Sequence, residues 1–276
     1  MQRNSRRRIF TYDIKQGWYA NLWKFIMGLM PFIGVVLIAS KIEISTAHSP
    51  SFFDCIFFLF KGIKIYKPSQ GSQFEIPALW MAVQVFTGMI VYSYPKDNFE
   101  KYGAQSLIRV KNKMKWWVSK YIWTVVNVIL YYIAGYLTIF TVNSFINGNS
   151  ILPDGLWNLL VNEIEISNIT VIDLWTAGIL IPVLTSISLS VLQMSLSFIF
   201  NPVYSFVMIM AYLTVSVYYY NLCFIASNSM ILRNQIGGGG GRTCTEIVTV
   251  DIVVALVSGI VGYRRFRNLD VIPKSV

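Results

Sequence analysis

The chain has 276 residues, of which 55% are hydrophobic and 13% charged, with a mean hydropathy of +0.54. Soluble domains carry about 25% charged residues, so an ordinary water-soluble globule is excluded. The net charge of +10 lies beside apolar runs and not in a recognition module, which argues against nucleic acid as a partner.

From the N-terminus, MQRNSRRRIF is basic, and no small-residue cleavage pattern follows the apolar run Phe25 to Ser40. An uncleaved first span is expected, about 18–40, with Lys24 snorkelling. Phe10, Ile14, Trp18, Leu22 and Phe25 recur at helical spacing beside Arg6, Arg7, Arg8 and Lys15. That stripe predicts an amphipathic helix over 9–25 lying in the membrane interface, in preference to a plain extension of the span. In the loop 41–75, FFDCIFFLF (Phe52 to Phe60) is too short to cross and is expected to pack at the interface. A second span is expected at about 76–94.

The loop 95–120 follows, with seven Lys/Arg. Leu107, Val110 and Met114 fall on one side of a helix here, and Arg109, Lys113 and Lys120 largely on another. Such a helix can meet anionic lipid headgroups or dock a soluble partner. The third span is expected at about 117–145. The next loop, 144–172, has no Lys or Arg but contains Asp154, Glu163 and Glu165.

No charge occurs from Leu174 to Leu232, which is 59 residues and more than two crossings of a ~30 Å hydrocarbon core. Asn201-Pro202 divides this run into a fourth span, about 174–200, and a fifth, about 203–226. The sixth, about 247–263, contains Asp251 near its expected outer end. Counting Lys and Arg gives six in 1–24, seven in 95–120 and four in 264–276, or 17 of 23. The fold class is therefore all-α and polytopic, with six transmembrane helices and both termini cytoplasmic, the whole chain forming one domain in the cell membrane.

Little catalytic chemistry is visible. Cys55, Cys223 and Cys244 lack paired short spacing, which leaves one disulfide on the outer side open, and His48 is the only histidine, so neither a metal site nor a Cys/His pair is expected. The span interiors are read as free of ionisable groups, with Asp173 and Asp251 at outer ends, which weakens an ion-coupled transporter. IGGGGGRT (Ile236 to Thr243) imitates a phosphate loop but has isoleucine and arginine where glycine and lysine are required. A membrane enzyme would have to use Glu163, Glu165 and Asp173, which no nucleophile or metal spacing accompanies. Within the fourth span, Ser186, Ser190, Gln193 and Ser197 share one helical face, and Ser188 and Ser195 form a neighbouring line. That face is either a packing seam or the lining of a passage, and Gln84, Asn127 and Tyr131 suit either role.

FEIPALW (Phe74 to Trp80), YPKDNFEKYGAQSLIR (Tyr94 to Arg109), KWWVSKYIW (Lys115 to Trp123) and YRRFRNLDVI (Tyr263 to Ile272) carry a resemblance. Together with six spans, they make the chain resemble permease subunits of ABC-type exporters of the type-2 architecture, in the Gram-positive-bacterial style. The resemblance implies a second permease, identical or homologous, and two ATP-binding cassette subunits that hold ATP and Mg, with no cofactor and no catalytic residue in this chain. It implies a coupling helix, Phe99 to Lys115, touching the ATPase through Phe99, Glu100, Tyr102, Gln105, Arg109, Lys111 and Lys113. It also implies a connecting helix near 9–25, re-entrant elements within 227–247, and outward movement of a peptide, lipid or drug-like cargo. The alternative is a non-transporting immunity or scaffold protein of the membrane that binds a toxic peptide.

Overall fold

A computed structural model describes residues 21–46, 49–65, 76–92, 95–97, 99, 112–165, 170–221, 223–237 and 241–268. The expected interfacial stripe before residue 21 lies outside them. Among the described residues every regular element is helical, apart from one isolated bridge between Asn234 and Arg242. Among the described residues four helices are long and apolar enough to cross a membrane: α1 (Asn21–Ile42), α4 (Lys113–Ile146), α5 (Val171–Ile199) and α7 (Cys244–Arg267). Shorter helices are α2 (Phe52–Phe60), α3 (Ala78–Val91) and α6 (Pro202–Tyr218).

The apolar residues divide between two environments. On α7, Ile252, Val253, Leu256, Val257, Ile260 and Val261 are exposed, while Ile247, Ala255 and Gly259 face the bundle. An apolar outer surface of this size suits hydrocarbon and not water. On α1 the inward stripe is Asn21, Phe25, Gly28 and Phe32, and Leu22 is exposed. The sequence stripe that joined Leu22 to Phe25 therefore does not mark the packed face here. Phe25 meets Tyr131 edge-on at 6.2 Å, and Phe32 meets Tyr131, Tyr132 and Tyr136.

Two segments differ from expectation. The segment Phe52 to Phe60 is not an interfacial strip: α2 is wedged into the bundle with Phe53, Cys55, Ile56, Phe57, Leu59 and Phe60 buried. Its Asp54 explains why it starts where it does. The Asp54 carboxylate closes a capping box with Ser51 and accepts from the Asp154 amide and the Asn158 side chain. Burial pushes that carboxyl above its usual range, and the donated bonds oppose the shift.

The expected fifth span ends early, at Tyr218, where Tyr219 turns extended. Beyond it, Ile225–Ser229, Ile231–Arg233 and Gln235–Gly237 form tight 3-10 turns, the first two buried. At about 1.5 Å per residue, α3 (14 residues) and α6 (17 residues) reach only ~21 and ~26 Å. The turn at Asn201-Pro202 is where the sequence puts it, with Asn201 as N-cap and Pro202 opening α6.

Helices α5 and α7 pack closest, because small residues let them. Ser188 Oγ donates to Asp251 O at 2.7 Å and Ser195 Oγ to Ser258 O at 2.8 Å. A Cβ on Gly262 would stand 2.6 Å from Trp117 Cζ2 and closer still to Ser195 Oγ. Gly262→Ala is therefore expected to destabilise the fold by roughly 1–3 kcal/mol, through forced helix separation. Thermal unfolding in detergent checks this against Gly34→Ala, where a Cβ meets nothing within 4 Å and no loss is expected.

Candidate functional site

The polar face of α5 is wholly inside the protein. Ser186, Ser190, Gln193 and Ser197 are each at most 2% exposed. Ser186 Oγ donates to Gln84 Oε1 on α3 at 3.0 Å and pairs with Tyr132 Oη on α4 at 2.7 Å. Gln193 Nε2 donates to Gly88 O at 3.0 Å. Ser197 turns back to Met194 O of its own helix. The neighbouring line, Ser188 and Ser195, serves α7 instead. From Thr185 to Ser197 this polar seam runs about 18 Å along the helix axis. A cavity of about 10 Å³ lies within it, lined by Gln84, Thr87, Ser186, Ser190 and Gln193 together with Leu189 and Leu213.

Charge also sits inside, against expectation. Asp251 is not at an exposed outer end: it is fully buried, with Thr185 Oγ1 donating to Oδ2 at 2.6 Å and Asn228 Nδ2 to Oδ1 at 2.9 Å. Arg242 Nη1 donates to Asn228 Oδ1 at 2.7 Å and its guanidinium lies over the Tyr220 ring. Asn228 thus relays a cation to a carboxylate that it does not touch. Lys120 is likewise buried, its ammonium 5.2 Å from the Trp116 ring centroid. Linear sequence shows an acid or base beside an apolar run but not the residues that fold over it. The reading of charge-free spans is corrected on that ground.

Sequence reasoning also missed Arg233. It is 1% exposed and donates to Ile63 O, to Ser216 O at 2.7 Å and to Val217 O. The last two carbonyls end α6, where a helix leaves acceptors without intrahelical partners and where a cation is favoured. Burial lowers the guanidinium to about 10, so it remains a cation at neutral pH. The available signal was its place, one residue beyond the long uncharged run.

At one end of the bundle, the described part of the loop 95–120 is keyed into three helices. The Phe99 ring lies 5.6 Å from Trp116 of α4, 6.1 Å from Phe198 of α5 and 5.4 Å from Phe266 of α7. Trp116 stacks on Phe266 at 4.8 Å, and Trp117 meets Phe198 at 5.2 Å. Lys113 Nζ donates to Arg267 O at 2.8 Å and Lys96 Nζ to Phe200 O at 3.0 Å, so the loop's two flanks hold two helix ends. Glu100, Tyr102, Gln105, Arg109 and Lys111 lie outside the described residues. One bound is corrected: no single helix runs from Phe99 through Lys115. Asn112 is extended (φ −151°, ψ 109°), and its side chain caps the Met114 and Lys115 amides, so Lys113 opens α4.

At the other end of α5 and α7, the structure brings Glu163, Glu165 and Asp173 to one cavity of about 810 Å³ with Gln235, Thr243, Cys244 and Thr245. No cluster of metal-ligating residues occurs among the described residues, and all three cysteines are free. Lys64 and Lys61 hold the Glu163 carboxylate below its usual range. A carboxylate depressed on folding adds stability above its unfolded value, 4.5, and loses it as pH falls through the folded one. Because Glu163 is half exposed, Glu163→Gln is expected to lose only ~0.5 kcal/mol at pH 7. The gap in unfolding midpoint between the two proteins should close as pH drops below 4.5.

A family model described as a protein of unknown function (DUF2705) matches residues 25–272. No curated protein and no solved structure matches the chain.

Proposed function

Starting from a chain that belongs to the DUF2705 family, we propose that it is the membrane-embedded permease subunit of an ATP-driven exporter. In this reading it crosses the cell membrane six times with both termini in the cytoplasm. The short helices α3 and α6 complete their crossings by local thinning of the bilayer or through their flanking residues. The basic loop 95–120 faces the cytoplasm. Two ATP-binding cassette subunits, which hold ATP and Mg, dock on it, and a second permease completes the passage for a peptide, lipid or drug-like cargo.

The observation that carries this reading is the seat of Phe99 among Trp116, Phe198 and Phe266. Aromatic pairs at such distances are worth about 0.5–1.5 kcal/mol each beyond their burial. A push on the loop would therefore be borne at once by the ends of α4, α5 and α7. That is the linkage needed for a soluble motor to shift one packed arrangement toward another. The polar seam of α5 and the buried Asp251 then lie on helices that the motor moves.

Affinity purification of the tagged chain from mild detergent tests the proposal. An ATP-binding cassette subunit should co-purify, and reversing the charge of both Arg109 and Lys113 should weaken the association. A functional chain that never carries such a subunit, or transport that survives both reversals, would overturn it. Protection from a toxic peptide that persists without any ATPase would favour the immunity alternative.

A further inference from the structure

We propose that one water molecule is bound between α3, α5 and α6, bridging the side-chain amides of Gln84 and Gln193. Both side chains are buried, at 3% and 1% exposure. Each uses half of its amide on protein: Gln84 Oε1 accepts from Ser186, and Gln193 Nε2 donates to Gly88 O. The other halves, Gln84 Nε2 and Gln193 Oε1, make no well-formed hydrogen bond to protein, although the Gln84 amide also lies beside the Tyr132 hydroxyl. One is a donor and the other an acceptor, and both residues line the same cavity of about 10 Å³. That volume is close to the room one water needs.

Magnitudes decide for a wet site. Leaving a buried donor and a buried acceptor both unpaired costs more than immobilising the single water that satisfies them. The walls add hydroxyls from Thr87, Ser186 and Ser190. A monovalent cation fits less well, since the Gln84 amide presents hydrogens to it. The backbone of α3 comes near because residue 88 is glycine: a Cβ there would lie 3.1 Å from Gln193 Oε1. A seam joined through water can part without stranding polar groups, whatever the chain transports, so this site stands independently of the permease reading.

Two measurements on the full chain in lipid nanodiscs test it. A map fine enough to show ordered water should place a density peak within hydrogen-bond reach of both amides. Millisecond radiolytic labelling in oxygen-18 water should mark Leu189 and Leu213 several-fold above Leu232, which is equally buried but does not line the cavity. In a folded Gln84→Leu/Gln193→Leu variant that excess should vanish. No peak where neighbouring waters are resolved, or labelling no greater than at Leu232, would overturn the proposal. So would an unfolding midpoint that tracks sodium or potassium exchanged for choline, since that marks a cation.

Discussion

Replacing Arg233 with methionine is expected to lower stability by about 3 kcal/mol or more, among the largest losses any single substitution here should give. Methionine fills much of the volume but donates nothing. The carbonyls of Ile63, Ser216 and Val217 would keep their burial and lose their common donor. Two of them terminate α6, so the helix end and the segment after α2 would come loose together. Arg233→Lys should recover only part, because an ammonium cannot span the three acceptors as a planar fork does. Thermal unfolding in detergent reads the effect as a drop of several degrees for methionine and a smaller one for lysine. An unchanged midpoint would show that the guanidinium is not the clamp described.

On the permease reading Phe99→Ala is the second large effect, and it is expected chiefly in transport, because the ring's three aromatic pairs tie the loop to the bundle and not the helices to one another. Phe99 is only partly buried, and the Trp116–Phe266 stack stays in place without it. What disappears is the ring that ties the loop to three helix ends. Coupling energies between sites are commonly 1–3 kcal/mol, so transport should fall about tenfold or more while the amount of protein in the membrane is unchanged. Phe99→Leu should restore part of the rate. Phe145→Ala, at a ring that is 91% exposed, should leave it alone. Equal losses for Phe99→Ala and Phe145→Ala would mean that the aromatic seat transmits nothing.

The sequence made the long helices legible because an apolar run longer than ~20 residues has few other uses. It also marked the Asn201-Pro202 turn, since proline fixes where a helix begins. The serine and glutamine face of α5 was readable from its spacing, although spacing alone left open what it faced. Other features needed the third dimension. FFDCIFFLF is apolar enough for an interface or a core, and only the Asp54 cap, with Asp154 and Asn158 folded over it, decides for the core. Asp251 reads as an end residue in sequence, and the residue that covers it, Asn228, comes from a turn with no helical pattern. Hydrophobicity reports the length of a segment, and it does not tell lipid from protein as the solvent of a given face. Asn112 is the instructive case in the loop: a common N-cap residue, it breaks the run that helical spacing had joined from Phe99 to Lys115.

The permease proposal requires the basic loop to meet an ATP-binding subunit. A photo-crosslinking amino acid at Gln105, in cells that express the chain at its natural level, tests it most directly. A crosslinked product that contains an ATP-binding cassette protein is expected, and it should be lost when Arg109 and Lys113 are both reversed in charge. Crosslinks to lipid alone, with the chain still functional, would contradict it.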